Sequence, residues 1–341
     1  MMNHGKCERR KGCTFQFILL LVVLVAALVC SLMFGAQRLL IQDLLCKSEA
    51  SIAQTIFFKI RVPRTILAAI SGMLLAGAGA AFQMFFRNPL AEPGIMGISA
   101  GATLGAVIAA CFGRNATLAG VLSPVNMGAF AGAMLAGSVV CALSGNKNGP
   151  AATTALLLSG TALGTLYAAL TSITLAIHNE RIHTMYIWML GSFSGRGWNE
   201  IRFIALPALG AMALLLLCGR HLDLLSGGEL TAQSLGITVT RLRLQTIVAG
   251  ALATSAAVCA GGTIGFVGLI APHLVRRLFG SRSRTLIPFS MCAGAALLLY
   301  SDTICRVIIP PAEIPVGTVT AILGAPFFLS LLFSKKGTNH A

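Results

Sequence analysis

Ten apolar runs, each near the length needed to cross a lipid bilayer, leave this chain very few ways to fold. They lie at about 15–35, 65–86, 95–112, 124–143, 152–177, 201–218, 244–260, 262–278, 286–305 and 316–333. At a rise of about 1.5 Å per residue, some 20 residues span the ~30 Å hydrocarbon layer. Lipid offers no partner to an exposed peptide group, so each run must satisfy its backbone internally, as a helix. The composition demands lipid: 10% of the 341 residues are charged and 56% hydrophobic, whereas a water-facing domain carries about 25% charge. The expected fold class is therefore all-α, a polytopic membrane helix bundle of about ten transmembrane helices. It reads as one domain over 1–341, with tails at 1–14 and 334–341 and a long polar loop at 219–243.

The first run follows Lys6, Arg9, Arg10 and Lys11. This resembles a signal peptide, but the run is long enough to span and no A-x-A site follows it, so it reads as a retained helix. With the amino terminus inside, the cytoplasmic segments hold 15 Lys+Arg against 4 Asp+Glu, and the external ones 10 against 6, each span-end charge counted with its nearer side. The inside excess supports a multi-pass protein of the cytoplasmic (inner) membrane with both termini, Lys335 and Lys336 included, in the cytoplasm.

Small residues recur one turn apart, as in Gly97-x3-Gly101-x3-Gly105, Gly128-x3-Gly132 and Gly160-x3-Gly164. Such spacing lets helix backbones approach closely where dispersion must hold a bundle together. Ten cysteines show no C-x2-C spacing. They read as small hydrophobes, with neither metal nor disulfide implied.

The external charges are less expected. Arg61 and Arg64 fall at the mouth of the second span and Arg306 at the end of the ninth. They either snorkel at the interface or meet an acidic surface, since the planar guanidinium pairs bidentately with carboxylates. Asp302 precedes Arg306 by four residues, the spacing of a local helical ion pair. Glu313 follows in a turn between Pro311 and Pro315.

Two further stretches are not membrane filler. In Arg87-Asn-Pro-Leu-Ala-Glu-Pro-Gly94 the prolines break the helix. The freed backbone groups need a turn at a membrane face or a protein-lined cavity, and a tight cytoplasmic hairpin is the simpler of the two. The segment Gly261-Gly-Thr-Ile-Gly-Phe-Val-Gly268 suits close helix crossing. His273, beyond it, could be a ligand or proton relay, or a histidine satisfied by a local carbonyl.

The loop contains Leu224-Leu-Ser-Gly-Gly-Glu229, which looks like the signature of an ABC ATPase. Without a G-x4-G-K-[ST] loop to cradle phosphates, that reading has no mechanism. Two short amphipathic helices broken at Gly227-Gly228 fit better, with Leu222, Leu224, Leu225, Leu230 and Leu235 forming an apolar knob for a cytoplasmic partner.

Buried ionisable residues are nearly absent from the expected spans, which argues against ion coupling and places the energy source elsewhere. Neither a Ser/His, paired-Asp or H-E-x-x-H constellation nor an acidic diphosphate-binding cluster occurs. A stand-alone secondary transporter and a membrane-embedded enzyme acting on lipid substrates stay as alternatives.

Taken in order, Arg61-Val-Pro-Arg64, Arg87 to Gly94, Leu235-Gly236, Ile264 to His273, Glu313-Ile-Pro-Val-Gly317 and Gly324-Ala-Pro326 resemble the FecCD-type permeases of type II ABC importers for ferric siderophores, vitamin B12 and haem. The match runs from about residue 60 to the end. The resemblance implies a non-catalytic transport subunit that needs no cofactor, dimerises with an identical or paralogous permease, and sits on a pair of ABC ATPase subunits. An extracytoplasmic substrate-binding protein would dock at Arg61, Arg64 and Arg306. ATPase coupling would fall to Leu222, Leu224, Leu225, Gly228, Glu229, Leu235 and Gly236, although Leu225-Ser-Gly-Gly-Glu229 carries one more small residue than the family's pattern. A cytoplasmic gate would fall at Thr153 and Thr154. A ferric siderophore is the cargo the resemblance favours, ahead of cobalamin and haem. Nothing implies a nucleic acid.

Overall fold

A computed structural model describes residues 4–35, 37, 52–113, 123–144 and 150–334. Among these the chain is helical throughout, with no strand. The helices are α1 (His4–Met33), α2 (Val62–Phe85), α3 (Ile98–Phe112), α4 (Pro124–Ser144), α5 (Pro150–Ile177), α6 (Ile182–Met189), α7 (Trp198–Ser226), α8 (Glu229–Ser234), α9 (Val239–Gly261), α10 (Val267–Phe279), α11 (Ser283–Val307) and α12 (Val316–Ser334). A short helix, Ile52–Thr55, and a π-helical turn, Ile56–Arg61, lead into α2.

Each of the ten apolar runs coincides with one helix, and seven helices are long and apolar enough to cross a membrane. Helices α3 and α12 are apolar but shorter. Helix α10 is the exception to the expected span at 262–278. Gly262, at φ +76°, ends α9, and the chain stays irregular to Phe266. The 13 residues that follow rise only about 20 Å, so helix α10 covers the later part of that run and the irregular stretch covers the rest. The tail expected at 1–14 is helical from His4 onward, and Lys335 and Lys336 lie outside the described residues.

Helix α2 is the hub, packed against α7, α9, α10 and α11. The apolar windows of α2 and α9 are 78% buried, against 11% for α1 and 17% for α5, so the core runs along α2 and α9 while α1 and α5 present leucines outward. Backbones touch where glycines permit it. A Cβ at Gly72 would collide with the carbonyl of Gly294 across the α2–α11 contact. The predicted glycine repeats behave alike: Gly101 and Gly105 of α3 face Gly128 and Gly132 of α4, and Gly97 sits against Gly160 of α5.

Helix α11 gives the bundle its two ends. Its first residue, Ser283, donates from its backbone N–H and its hydroxyl to Asp223 near the end of α7, at 2.7 and 2.6 Å. Near its last turn, Arg306 reaches Ser31 near the end of α1. The 25 residues of α11 rise about 37 Å, so these two sites are separated by roughly a membrane thickness.

Candidate functional site

At one end, the three expected arginines come together but do not face outward. Their relative exposures are 4% for Arg61, 5% for Arg64 and 4% for Arg306, which overturns the snorkelling alternative. Arg64 projects from the first turn of α2 into α11. Its Nε and Nη2 donate to the Asp302 carboxylate, the closest contact being 2.8 Å, and its Nη1 donates to both Glu313 oxygens at 2.9 Å. The expected local pair also forms, Arg306 Nε lying 3.2 Å from Asp302. Arg306 Nη2 turns to the carbonyl and hydroxyl of Ser31 at 3.1 and 3.0 Å, and Ser31 is in turn 2.8 Å from the Thr65 hydroxyl. Arg61 donates to the carbonyls of Leu32, Met33 and Gln37. A cation suits the negative end of α1's dipole.

The cluster thus carries three positive charges against the two of Asp302 and Glu313. Asp302 has a side chain only 1% exposed, whereas that of Glu313, on the turn after α11, is 27% exposed. Burying these guanidinium groups is tolerable because each one finds several acceptors. Arg64 has one partner, Glu313, that water and other molecules can reach.

At the other end, the loop expected at 219–243 resolves differently from two short helices. Helix α7 runs unbroken to Ser226, and only Glu229–Ser234 forms a short helix, α8. The apolar knob divides. Leu222 and Leu225 are 0% and 2% exposed and belong to the core, whereas Leu224, Leu230 and Leu235 are 42%, 82% and 59% exposed. The reason is helical phase: Leu215, Cys218, Leu222 and Leu225 form one stripe at spacings of three and four, and Leu224 falls off it. The additional small residue has a conformational use. Gly228 takes φ +118°, ψ +151°, a region closed to side chains, and so turns the chain into α8, where Glu229 starts the helix. Gly236, at φ +83°, ends it. A cavity of about 480 Å³ opens beside the exposed leucines, lined by His221, Leu224, Leu235, Gly236, Arg241 and Gln245 among others.

Thr153 and Thr154 fall in the first turns of α5, with Thr154 exposed and the Thr153 side chain outside the described residues. His273 packs edge-on against Phe327 of α12, ring centres 5.6 Å apart.

The Arg87–Gly94 stretch is not a hairpin at the surface. After Arg87 the chain turns back into the bundle, where Ala91 and Met96 are 2% and 0% exposed. Together with the irregular 262–266 segment it encloses a cavity of about 190 Å³ lined by Leu75, Glu92, Thr254, Thr263, Phe266 and Gly268. Both helix interruptions meet there, where a protein-lined cavity tolerates broken backbone. Glu92 accepts a hydrogen bond from the Phe266 backbone, and burial holds its carboxyl above the usual carboxylate range. Sequence reasoning missed this half-buried acid by assigning it to a loop. The signal was the pair of prolines on either side, which marked the break but not its direction.

The model of the FecCD transport family matches residues 21–334. The chain belongs to that family. Over 336 residues it is 36% identical to the hemin transport system permease protein of Yersinia pestis, covering 98% of each chain. It is 41% identical over 284 residues to the cobalamin import system permease protein of Halobacterium salinarum, covering 83% of this chain and 75% of that one. An Fe(3+)-citrate import system permease protein of Bacillus subtilis is 35% identical over 99% of both chains. Among solved structures, a metal-chelate type ABC transporter in an inward-facing conformation superposes with a TM-score of 0.82 at 31% identity, over 93% of this chain and 98% of that one. FecCD relatives of this kind are the permeases of ABC importers, and this chain is a membrane-spanning permease of the same family.

Proposed function

We propose that this permease imports an iron(III) chelate, specifically a ferric siderophore, using ATP hydrolysed on a separate pair of ABC ATPase subunits. Haem and cobalamin are the alternative cargoes, because relatives are named for both. Metal chelation is what the named cargoes share. Leu224, Leu230 and Leu235, with the groove beside them, receive the ATPases on the cytoplasmic side, and both termini lie there. Leu222 and Leu225, with Gly228, Glu229 and Gly236, hold that segment in shape. An external binding protein docks over Arg61, Arg64 and Arg306. A second permease, identical or paralogous, completes the pathway, and Thr153 and Thr154 border its inner gate. The whole of 1–341 acts as one permease domain.

The observation that supports this reading best is the placement of the two partner-facing segments at opposite ends of α11, as a relay between an outer and an inner partner requires. The arginine end has one positive charge to spare, and Glu313 is the exposed partner that an acidic side chain could replace. The test is reconstitution in liposomes with the cognate ATPase and binding protein, followed by uptake of labelled ferric siderophore, haem and cobalamin. Uptake of the siderophore that needs both ATP and the binding protein is expected. Uptake driven by an ion gradient without ATPase would establish a secondary transporter instead.

A further inference from the structure

The end of the bundle that holds Arg61 also holds a cavity that the docking and coupling segments do not use. Trp198 Nε1, at the start of α7, donates to the Phe58 carbonyl at 3.0 Å, which brings the 192–198 stretch to this end. There a cavity of about 300 Å³ lies between the first turn of α4, helix α6 and the 192–196 turn. Arg196 is the one charged residue among its lining.

That guanidinium is poorly neutralised. Its Nη1 donates to Asn126 Oδ1 at 2.9 Å, and Asn126 is itself held, 4% exposed, with its carbonyl accepting from the Cys259 thiol at 3.1 Å. Among the described residues no carboxylate comes within ion-pair distance of Arg196. Glu200, the acid that acts on it, spends an oxygen on the backbone N–H of Gly197 at 2.8 Å. Burial pushes the Arg196 pKa below its ordinary value, mainly by desolvation, yet an arginine stays charged in a protein. A second donor lines the same cavity. The Trp188 indole N–H is buried, and no described group accepts it. An indole N–H can only donate, so its buried position calls for an acceptor. The hydroxyls of Ser123, Thr184 and Ser192 complete a wall that has donors and no acid.

We propose that this cavity binds a carboxylate arm of the cargo, so that the permease selects carboxylate-bearing chelates; this rests on the importer reading above. The fork of an arginine matches a planar carboxylate in two parallel bonds, and the indole supplies a third. At about 300 Å³ the space is at the lower limit of ligand pockets, so it accepts one arm rather than a whole chelate. Phosphate shares this chemistry and could come from a lipid headgroup.

The test uses the full chain in phosphatidylcholine nanodiscs. The sequence has two tryptophans, so Trp198→Phe leaves Trp188 as the only reporter. Titration with citrate is expected to change its emission saturably and to compete out inorganic phosphate. Arg196→Gln, with its melting temperature checked, should weaken the apparent affinity at least about tenfold, and Arg196→Lys should fall between. A folded protein with no saturable citrate response overturns the proposal. So does a response to phosphatidylglycerol nanodiscs that citrate does not compete with, which would assign the cavity to lipid. Citrate binding without ATP-driven uptake in the reconstituted complex would sink the importer reading and leave the anion site standing. Uptake without anion binding would do the reverse.

Discussion

Arg64 and Asp302, 238 positions apart in sequence, share a two-pronged buried ion pair whose closest contact is 2.8 Å. It joins the first turn of α2 to the last turns of α11, and Arg306 leans on the same carboxylate. Asp302 is therefore the keystone of the arginine end.

Removing that keystone should be costly, because it strands two arginines in a dry site. Asp302→Ala is expected to destabilise by about 3–5 kcal/mol, the usual range for breaking one partner of a buried pair. Arg64→Met combined with Asp302→Leu should recover only part of the loss, because Arg306 still lacks the carboxylate it leans on. Thermal unfolding in detergent, comparing single and double variants, checks both statements. Equal melting temperatures for Asp302→Ala and the parent would show that the pair contributes nothing.

Glu313→Gln should leave the fold intact and free the outer edge of Arg64. A partly exposed ion pair is worth about 0.2–1 kcal/mol, so binding of the external protein should tighten by roughly one and a half to five-fold. Surface plasmon resonance on nanodisc-embedded complex reads this directly. Weaker binding would mean that Glu313 itself touches the partner.

The divided knob predicts two different phenotypes from neighbouring leucines. Leu224→Ser with Leu230→Ser alters exposed side chains, so the protein should fold normally and lose its hold on the ATPase. Leu222→Ala removes a fully buried side chain, and should cost about 2–5 kcal/mol of stability. Co-purification with the ATPase, set beside melting temperatures, separates the two. Reversed phenotypes would place the contact surface on the other helix face.

Gly294→Val should prevent α11 from meeting α2, since a Cβ at Gly294 would strike the carbonyl of Gly72. Loss of monodisperse protein in size-exclusion chromatography is expected. Gly197→Ala is the matched control, because nothing lies within 4 Å of a Cβ there.

Local patterns in the sequence carried most of the helix map and little of the wiring between helices. Hydropathy located every long helix, since each runs either against lipid or through the apolar core of the bundle. The glycine repeats at 101, 105, 128 and 132 identified a real contact, because close backbone approach needs small residues at helical spacing. Local pairing was readable too: Asp302 and Arg306 sit four apart. Arg64 was placed at a rim because its partners are more than two hundred residues away, and nothing local signals them. The knob was misjudged for a different reason. Its helical phase was available, and spacings from Leu215 to Leu225 already separate Leu222 from Leu224. Glu92 was lost with the direction of the chain after Arg87, which prolines interrupt but do not steer.

The clasp between Asp223 and Ser283 has a mechanical consequence. Helix α11 is a stiff rod of about 37 Å, held by that clasp at one end and by the arginine cluster at the other. A tilt of about 5° at the clasp would swing the far end by about 3 Å, several times the slack that a hydrogen bond tolerates. The Arg64–Asp302 fork and the Gly72–Gly294 contact would therefore drag α2 along. The two helices should then move as one gear, so a displacement imposed at the clasp is carried to the arginine end.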